Sequence, residues 1–349
     1  MNKKYIIPSM AAVFIALLFI KNSEITVTCV QDGLKNCFLT IIPSLFPFMV
    51  ISETLNNCGA LDILSSFLKL PAQKIFGISG KSLSAVLSGL VLGFPIGTRA
   101  LTGLYDRNEV SEEEFRKVLG FCGIPSFSFT VNVVGAALFS NRSFGFAMYA
   151  ATIVSAILTG AIFSSRKKYD YEFMAPKKIY KKGTAEIITE SISAATKAII
   201  ILCAYVIFFS CISGCISQAK APKAITALVG VALELSTGTA ASADLGGILG
   251  IALCGFTLGW SGLSVHFQTM ALVSTRIKSY SSYYLQKFVQ GLFCTVFSLL
   301  FATATDFYVV PPVGISAFAQ VFSPEYTVIT FIIFFMCISL CKKNLFEKK

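Results

Sequence analysis

The chain has 349 residues, 55% of them hydrophobic and only 13% charged, with a formal net charge of +11. Soluble domains carry about 25% charged residues. That deficit, with a mean hydropathy of +0.73, excludes an ordinary soluble enzyme and points to an integral membrane protein. The basic surplus gathers at Lys3-Lys4, in Arg166–Lys182 and at Lys342–Lys349, beside apolar segments, so it marks the cytoplasmic side of a membrane and not a nucleic-acid surface.

In chain order, the first expected element is an uncleaved membrane helix. It follows Lys3-Lys4 and ends at Lys21-Asn22-Ser23-Glu24 without a small-residue cleavage site. Next comes the apolar segment Ile41–Phe48, interrupted by Pro43 and Pro47. Gly59–Gly80 is shorter and more polar, which suits a re-entrant hairpin or an interfacial helix. Ser82–Tyr105 carries the first copy of a motif, Ser88-Gly89-Leu90-Val91-Leu92-Gly93-Phe94, which leads into Pro95-Ile96-Gly97-Thr98-Arg99. Asp106–Lys117 is a charged excursion, where Ser111 and Glu114 have capping-box spacing. The helix it starts meets a second break at Cys122-Gly123-Ile124-Pro125-Ser126.

After the basic linker the plan recurs. Ala198–Ser217 is a long apolar helix, and Pro222–Gly246 is a short segment broken around Glu234. Cys254-Gly255-Phe256-Thr257-Leu258-Gly259-Trp260 then repeats the first motif in register and leads into Ser261-Gly262-Leu263-Ser264-Val265-His266. A polar loop at Ser274–Ser282 precedes a further helix beginning near Tyr283. In all, uncharged runs of spanning length predict eight to ten crossing or re-entrant segments.

Backbone polar groups in lipid need partners, so a broken helix survives only where protein or an aqueous cavity supplies them. Two halves with matching breaks therefore predict a transporter with a central polar site. Pro95, Gly97, Thr98 and Arg99 are candidates from the first break. Glu234 and Ser236 come from the short segment, and Ser261, Ser264, His266 and Gln268 from the second break. Arg99 would give bidentate recognition of a carboxylate. Glu234 would hold a coupling cation, take up a proton or pair with Arg99. No hydrolase, nucleotide-binding or metal motif is present, and eleven cysteines without a CxxC pair, with one His, predict neither disulfides, metal nor cofactor. The chain is not expected to be an enzyme.

Ile42–Phe48, Gly93–Arg99, Glu109–Cys122 and Leu258–Gln268, in this order and spacing, resemble the YlbJ/SpoVV family of sporulation integral membrane proteins, which carry the nucleoside-recognition Gate domain. The resemblance implies an all-α polytopic membrane fold related to concentrative nucleoside transporters, with two repeats of re-entrant hairpins and broken helices. Its organisation would be an N-terminal helix and linker over 1–36, Gate-like repeats over 37–165 and 185–310, a basic linker over 166–184, and a C-terminal helix and tail over 311–349. It implies transport of dipicolinic acid, a small anionic solute, by alternating access, in the cell membrane or the outer forespore membrane. Lys is common in the family where this chain has Arg99, and Asn is expected after Cys122 where this chain has Gly123. The alternatives are a nucleoside or other cation-coupled permease, and a non-transporting Gate-domain protein that organises a partner complex. Expected partners are the solute, the lipid bilayer and a coupling cation or proton, with no nucleic acid; a homo-oligomer is left open.

Overall fold

The structure is a computed structural model that describes residues 3–58, 67, 69–163, 183–217, 222–273, 277 and 279–304. The basic linker, the C-terminal helix and tail, and residues 59–66 at the start of the Gly59–Gly80 segment lie outside these residues. Among the described residues every regular element is a helix. That is what a chain in lipid must do, since a helix satisfies its backbone internally.

Among the described residues four helices are long and apolar enough to cross a membrane, and a bent pair makes a fifth. The pair is α1 (Lys3–Lys21) and α2 (Ser23–Asn36), which meet at 98°. A wide turn at Cys37–Ile41 joins α2 to α3 (Ile42–Asn57). Both α2 and α3 pack on the 34-residue α9 (Thr184–Ser217). Met49, Ala198, Leu202 and Val206 form the buried seam between them.

The region between contains two helical hairpins. In the first, α4 (Gly80–Leu92) turns at Gly93, whose φ is +86°, and returns as α5 (Ile96–Asp106). The two arms touch through glycine. A Cβ on Gly97 would lie 2.8 Å from the Cα of Gly89, and Gly89 and Gly97 stand four residues either side of Gly93. In the second hairpin α10 (Lys223–Leu233) turns at Glu234 and returns as α11 (Leu235–Leu245). Gly230 and Gly238 stand four residues either side of Glu234, and a Cβ on Gly238 would lie 2.9 Å from the Cα of Val231. Small residues let helix backbones approach this closely in lipid. Pro222–Gly246 therefore forms a hairpin of two 11-residue helices, each too short to be a span by itself.

Each hairpin is followed by a broken helix and then a long one. After the first come α6 (Glu112–Leu119), a break at residues 120–128, α7 (Phe129–Leu138) and α8 (Arg142–Ile162). After the second come α12 (Gly247–Trp260), a break at Ser261, α13 (Gly262–Leu272) and α14 (Ser281–Ala304). α12 and α13 together form one 26-residue candidate span. The break at Ser261 is made by two successive left-handed residues, Ser261 at φ +72° and Gly262 at φ +77°. Only glycine adopts that region without strain, so Ser261 is held there by its surroundings.

This element order corrects the pairing of Ser88–Phe94 with Cys254–Trp260. The first stretch ends one arm of a hairpin, whereas the second ends half of a span. Both close with Leu-Gly-aromatic because both are apolar helices stopped at a polar centre. The register that matches the elements places Gly89-x-x-Leu92 and Gly97-Thr98-x-Ala100 on Gly230-x-x-Leu233 and Gly238-Thr239-x-Ala241, an offset of 141 (230 against 89). It places Leu119-Gly120-Phe121-Cys122-Gly123 on Leu258-Gly259-Trp260-Ser261-Gly262, an offset of 139 (258 against 119).

The charged excursion caps these elements at the membrane border. Ser111 Oγ accepts from the Glu114 amide at 3.2 Å, as the capping box predicts. The Glu114 carboxylate, fully buried, accepts from the Ser79 amide at 2.6 Å, at the start of α4. Glu109 accepts from Lys81 at 2.7 Å and from Arg107 at 2.6 Å. Burial pushes its carboxyl up, but these two cations outweigh burial and hold it below its ordinary range.

Helical Gly→Ala substitutions ordinarily gain about 1 kcal/mol. At Gly238 the sign reverses, because a side chain there meets the backbone of Val231 and the methyl of Thr257. Gly238→Val lowers the melting temperature of the detergent-purified protein by several degrees, an overpacking cost of about 1–3 kcal/mol.

Candidate functional site

Each hairpin tip docks on the break of the helix that follows it. The Phe94 amide donates to the Ile124 carbonyl at 2.7 Å, and Gly93 lies against Ser126. In the second half Gly262 lies against the backbone of Glu234, its absent Cβ 2.9 Å from the Glu234 nitrogen. The first break thus gives the facing tip a backbone hydrogen-bond partner, as non-helical backbone in lipid requires, and the second packs glycine backbone against the facing tip.

Between the two docked pairs lies a cavity of about 60 Å³. Phe94, Pro125 and Ser126 line it from the first hairpin and break. Glu234, Leu235, Ser236, Ser261, Val265 and Gln268 line it from the second. Apolar walls come from Ile41, Leu45, Phe129, Leu202 and Val206. All four helix breaks of these two units meet at one place.

Four of the ten sequence candidates therefore line the cavity: Glu234, Ser236, Ser261 and Gln268. Ser264 stands one step behind, accepting from Gln268 Nε2 at 3.1 Å. Pro95 follows Phe94 at the first tip, through a cis peptide bond. Gly97 is consumed in the hairpin contact, and Thr98 is buried against Gly123.

Two candidates are placed otherwise than expected. Arg99 does not face the cavity: its Nε meets Glu53 Oε1 at 2.7 Å and its Nη1 donates to the Ala194 carbonyl at 3.3 Å. The partner is Glu53 of α3, and not Glu234. A cation on the outer side of α5 is drawn to the nearest carboxylate, and Glu234 is already engaged. Its Oε2 accepts from the Thr237 amide and hydroxyl, both at 2.7 Å, capping α11. His266 also sits behind the cavity wall, with Nδ1 2.9 Å from the Tyr283 hydroxyl and its ring edge-on to Trp260 at 4.2 Å.

Sequence reasoning missed Phe94, Pro125, Ser126 and Phe129 as lining residues, and it missed Lys287. Lys287 lies on α14, only 2% exposed, and its Nζ donates to the Gly123 carbonyl at 2.5 Å. The signal was present: it is a lysine inside a candidate span, Ser281–Thr303.

The charge of the cavity is thus the reverse of the expected one. Its one charged lining residue is Glu234, and Arg99 is neutralised elsewhere. Arg99→Ala and Glu53→Ala each lower the melting temperature, and the double variant falls no further than the worse single, because the pair is one interaction. Arg99→Ala changes solute affinity in a binding assay by less than about threefold, well under the tenfold that 1.4 kcal/mol of lost contact would give.

No protein-family model matches the chain, and no solved structure does. A curated protein does: the sporulation integral membrane protein YlbJ of Bacillus subtilis (strain 168) is 19% identical over 326 residues, 82% of this chain and 80% of that protein. The resemblance read from Ile42–Phe48, Gly93–Arg99 and Leu258–Gln268 agrees with this relative. With four apolar helices of spanning length and an integral membrane relative, the chain is an integral membrane protein similar to YlbJ.

Proposed function

We propose that the chain is a membrane transporter that moves a small organic solute through the four-break cavity by alternating access. The observation that carries this is the convergence of two hairpin tips and two helix breaks on one buried, partly polar cavity. Such sites, formed by discontinuous helices near the bilayer midplane, are what secondary transporters use. The matching order of hairpin, broken helix and long helix supports two repeats of one unit, as does the residue register Gly89–Ala100 on Gly230–Ala241. A transporter of this kind rocks one repeat against the other around a fixed site.

At about 60 Å³ the cavity has room for a few waters, each needing about 10–15 Å³ of such space. Sites that take organic ligands run to about 300 Å³ and more. The cavity is therefore too small for such a solute in this conformation, and its walls must part to load one.

The first solute proposed is an aromatic dicarboxylate, dipicolinate, on the resemblance and on the sporulation role named for the relative. The apolar walls suit its ring, and Ser126, Ser236, Ser261 and Gln268 suit its polar edge. Glu234 favours a second reading, a neutral nucleoside-like solute with hydroxyl donors, because an adjacent like charge costs an anion several kcal/mol. The outer forespore membrane is the proposed location if dipicolinate is the solute.

Glu234→Gln separates the two solutes in a binding titration on reconstituted protein. For dipicolinate, removing the like charge tightens binding about tenfold. For a nucleoside, losing the acceptor weakens it about tenfold, or about 1.4 kcal/mol. Wild-type protein in liposomes that neither binds nor moves a solute of either class would end the transporter reading.

A further inference from the structure

Lys287 is the group that the cavity does not explain. It lies in a candidate membrane span and is 2% exposed, where a charge is costly and marks function. Its two acceptors are neutral: the Gly123 carbonyl at 2.5 Å and Gln290 Oε1 at 3.1 Å. Among the described residues no carboxylate lies within ion-pair distance of it.

Gly123 belongs to the break between α6 and α7, and Pro125 and Ser126, two and three residues on, line the cavity. Unwound carbonyls at a broken helix are where transporters hold a coupling cation. Here the cation that meets such a carbonyl is covalently part of α14. An ammonium differs from a bound sodium ion in one respect: it can discharge by losing a proton, which a guanidinium cannot do.

The surroundings are polar and incompletely matched. His266 Nε2 and Gln290 Nε2 are buried without a hydrogen-bond partner. The titratable groups that sense Lys287 are Cys122 at the break, His266 on α13 and Cys294 on α14 itself. Tyr283 of α14 joins His266 to Thr269, which accepts from it at 3.2 Å. On the other helices packed against α14, Cys254 of α12 faces Cys294, and Tyr149 of α8 donates to the Leu90 carbonyl. The α6 cations pair within their own helix, Arg116 with Glu112 and Lys117 with Glu113, and Glu114 of α6 binds Ser79.

We propose that Lys287 is the coupling group of this protein: a tethered ammonium at the first helix break, in the place of a bound cation, that links movement of the break to loss and gain of a proton. This rests on the transport reading of the cavity. Charged, Lys287 ties α14 to the Gly123 carbonyl and holds the Pro125–Ser126 wall. On release the N–H bond breaks, the proton passes to water on the side to which the site has opened, and the neutral amine holds the carbonyl less strongly. The ammonium re-forms from a proton on the opposite side. Sodium has no part in the cycle.

Trp260 is the only tryptophan of the chain, and it touches His266 in this cluster, so its fluorescence reports the cluster without any transport. In detergent, wild-type Trp260 emission changes reversibly with pH between about pH 6 and pH 11, a range that brackets the ordinary lysine value near 10.4. Lys287→Met and Lys287→Arg abolish the change, and the arginine variant guards against a methionine variant that does not fold. In liposomes an inward proton gradient drives wild-type uptake equally in sodium and choline, and Lys287→Arg keeps solute exchange but loses accumulation by tenfold or more. An emission change that persists in either variant belongs to His266 or Tyr283 and overturns the proposal, as does no change in the wild type or a sodium requirement for uptake. A wild-type titration lost in both variants, from a protein that moves no solute, upholds the proton site while ending the transport reading.

Discussion

Unsatisfied backbone cannot face lipid, and this constraint organises the molecule. Each helix break leaves backbone polar groups without helical partners, and the tip of a hairpin packs against each. Phe94 donates to Ile124, and Gly262 lies on the backbone of Glu234. Because the tips and breaks must be partners, they must also be neighbours, and a polar centre between them follows. The glycines at Gly89, Gly97, Gly230 and Gly238 serve the same end, since only bare backbones let the hairpin arms lie close enough to bring both tips to the centre.

Charge is distributed in a way that this geometry explains. Arg99 and Glu53 neutralise each other between α5 and α3, outside the cavity. Glu234 caps α11 with its carboxylate, so that the dipole of that half-helix is already matched from within. Lys287 is the cation left at the centre, held by a carbonyl that the first break exposes. A carboxylate on one side of the site and an ammonium behind the other make the two halves unequal.

Much of this was legible in the sequence. Composition alone places the chain in a membrane, and the breaks at Phe94–Pro95, Cys122–Ser126, Glu234 and Ser261 are each visible as Gly, Pro or a charge inside an apolar run. Four of ten candidate residues line the cavity. The pairing of breaks was not legible from the Leu-Gly-aromatic motif, because that motif records how an apolar helix stops and not whether the chain then turns back or continues. Only the contact of Gly89 with Gly97, and of Gly238 with Gly230 and Val231, separates a hairpin from a broken span. Arg99 reads as a site residue and Lys287 passes unremarked because a charge near the end of an apolar run cannot be placed until its side chain's partner is known.

The central claim is that the four-break cavity opens to both sides of the membrane in turn. The direct test is Ser126→Cys and Ser261→Cys, each in a background without the eleven native cysteines, treated with a membrane-impermeant thiol reagent in right-side-out and inside-out vesicles. The account predicts that both positions react from both sides, more slowly than a surface thiol, and that bound solute protects them. Reaction from one side alone, or from neither, with surface cysteines reacting normally, would contradict it.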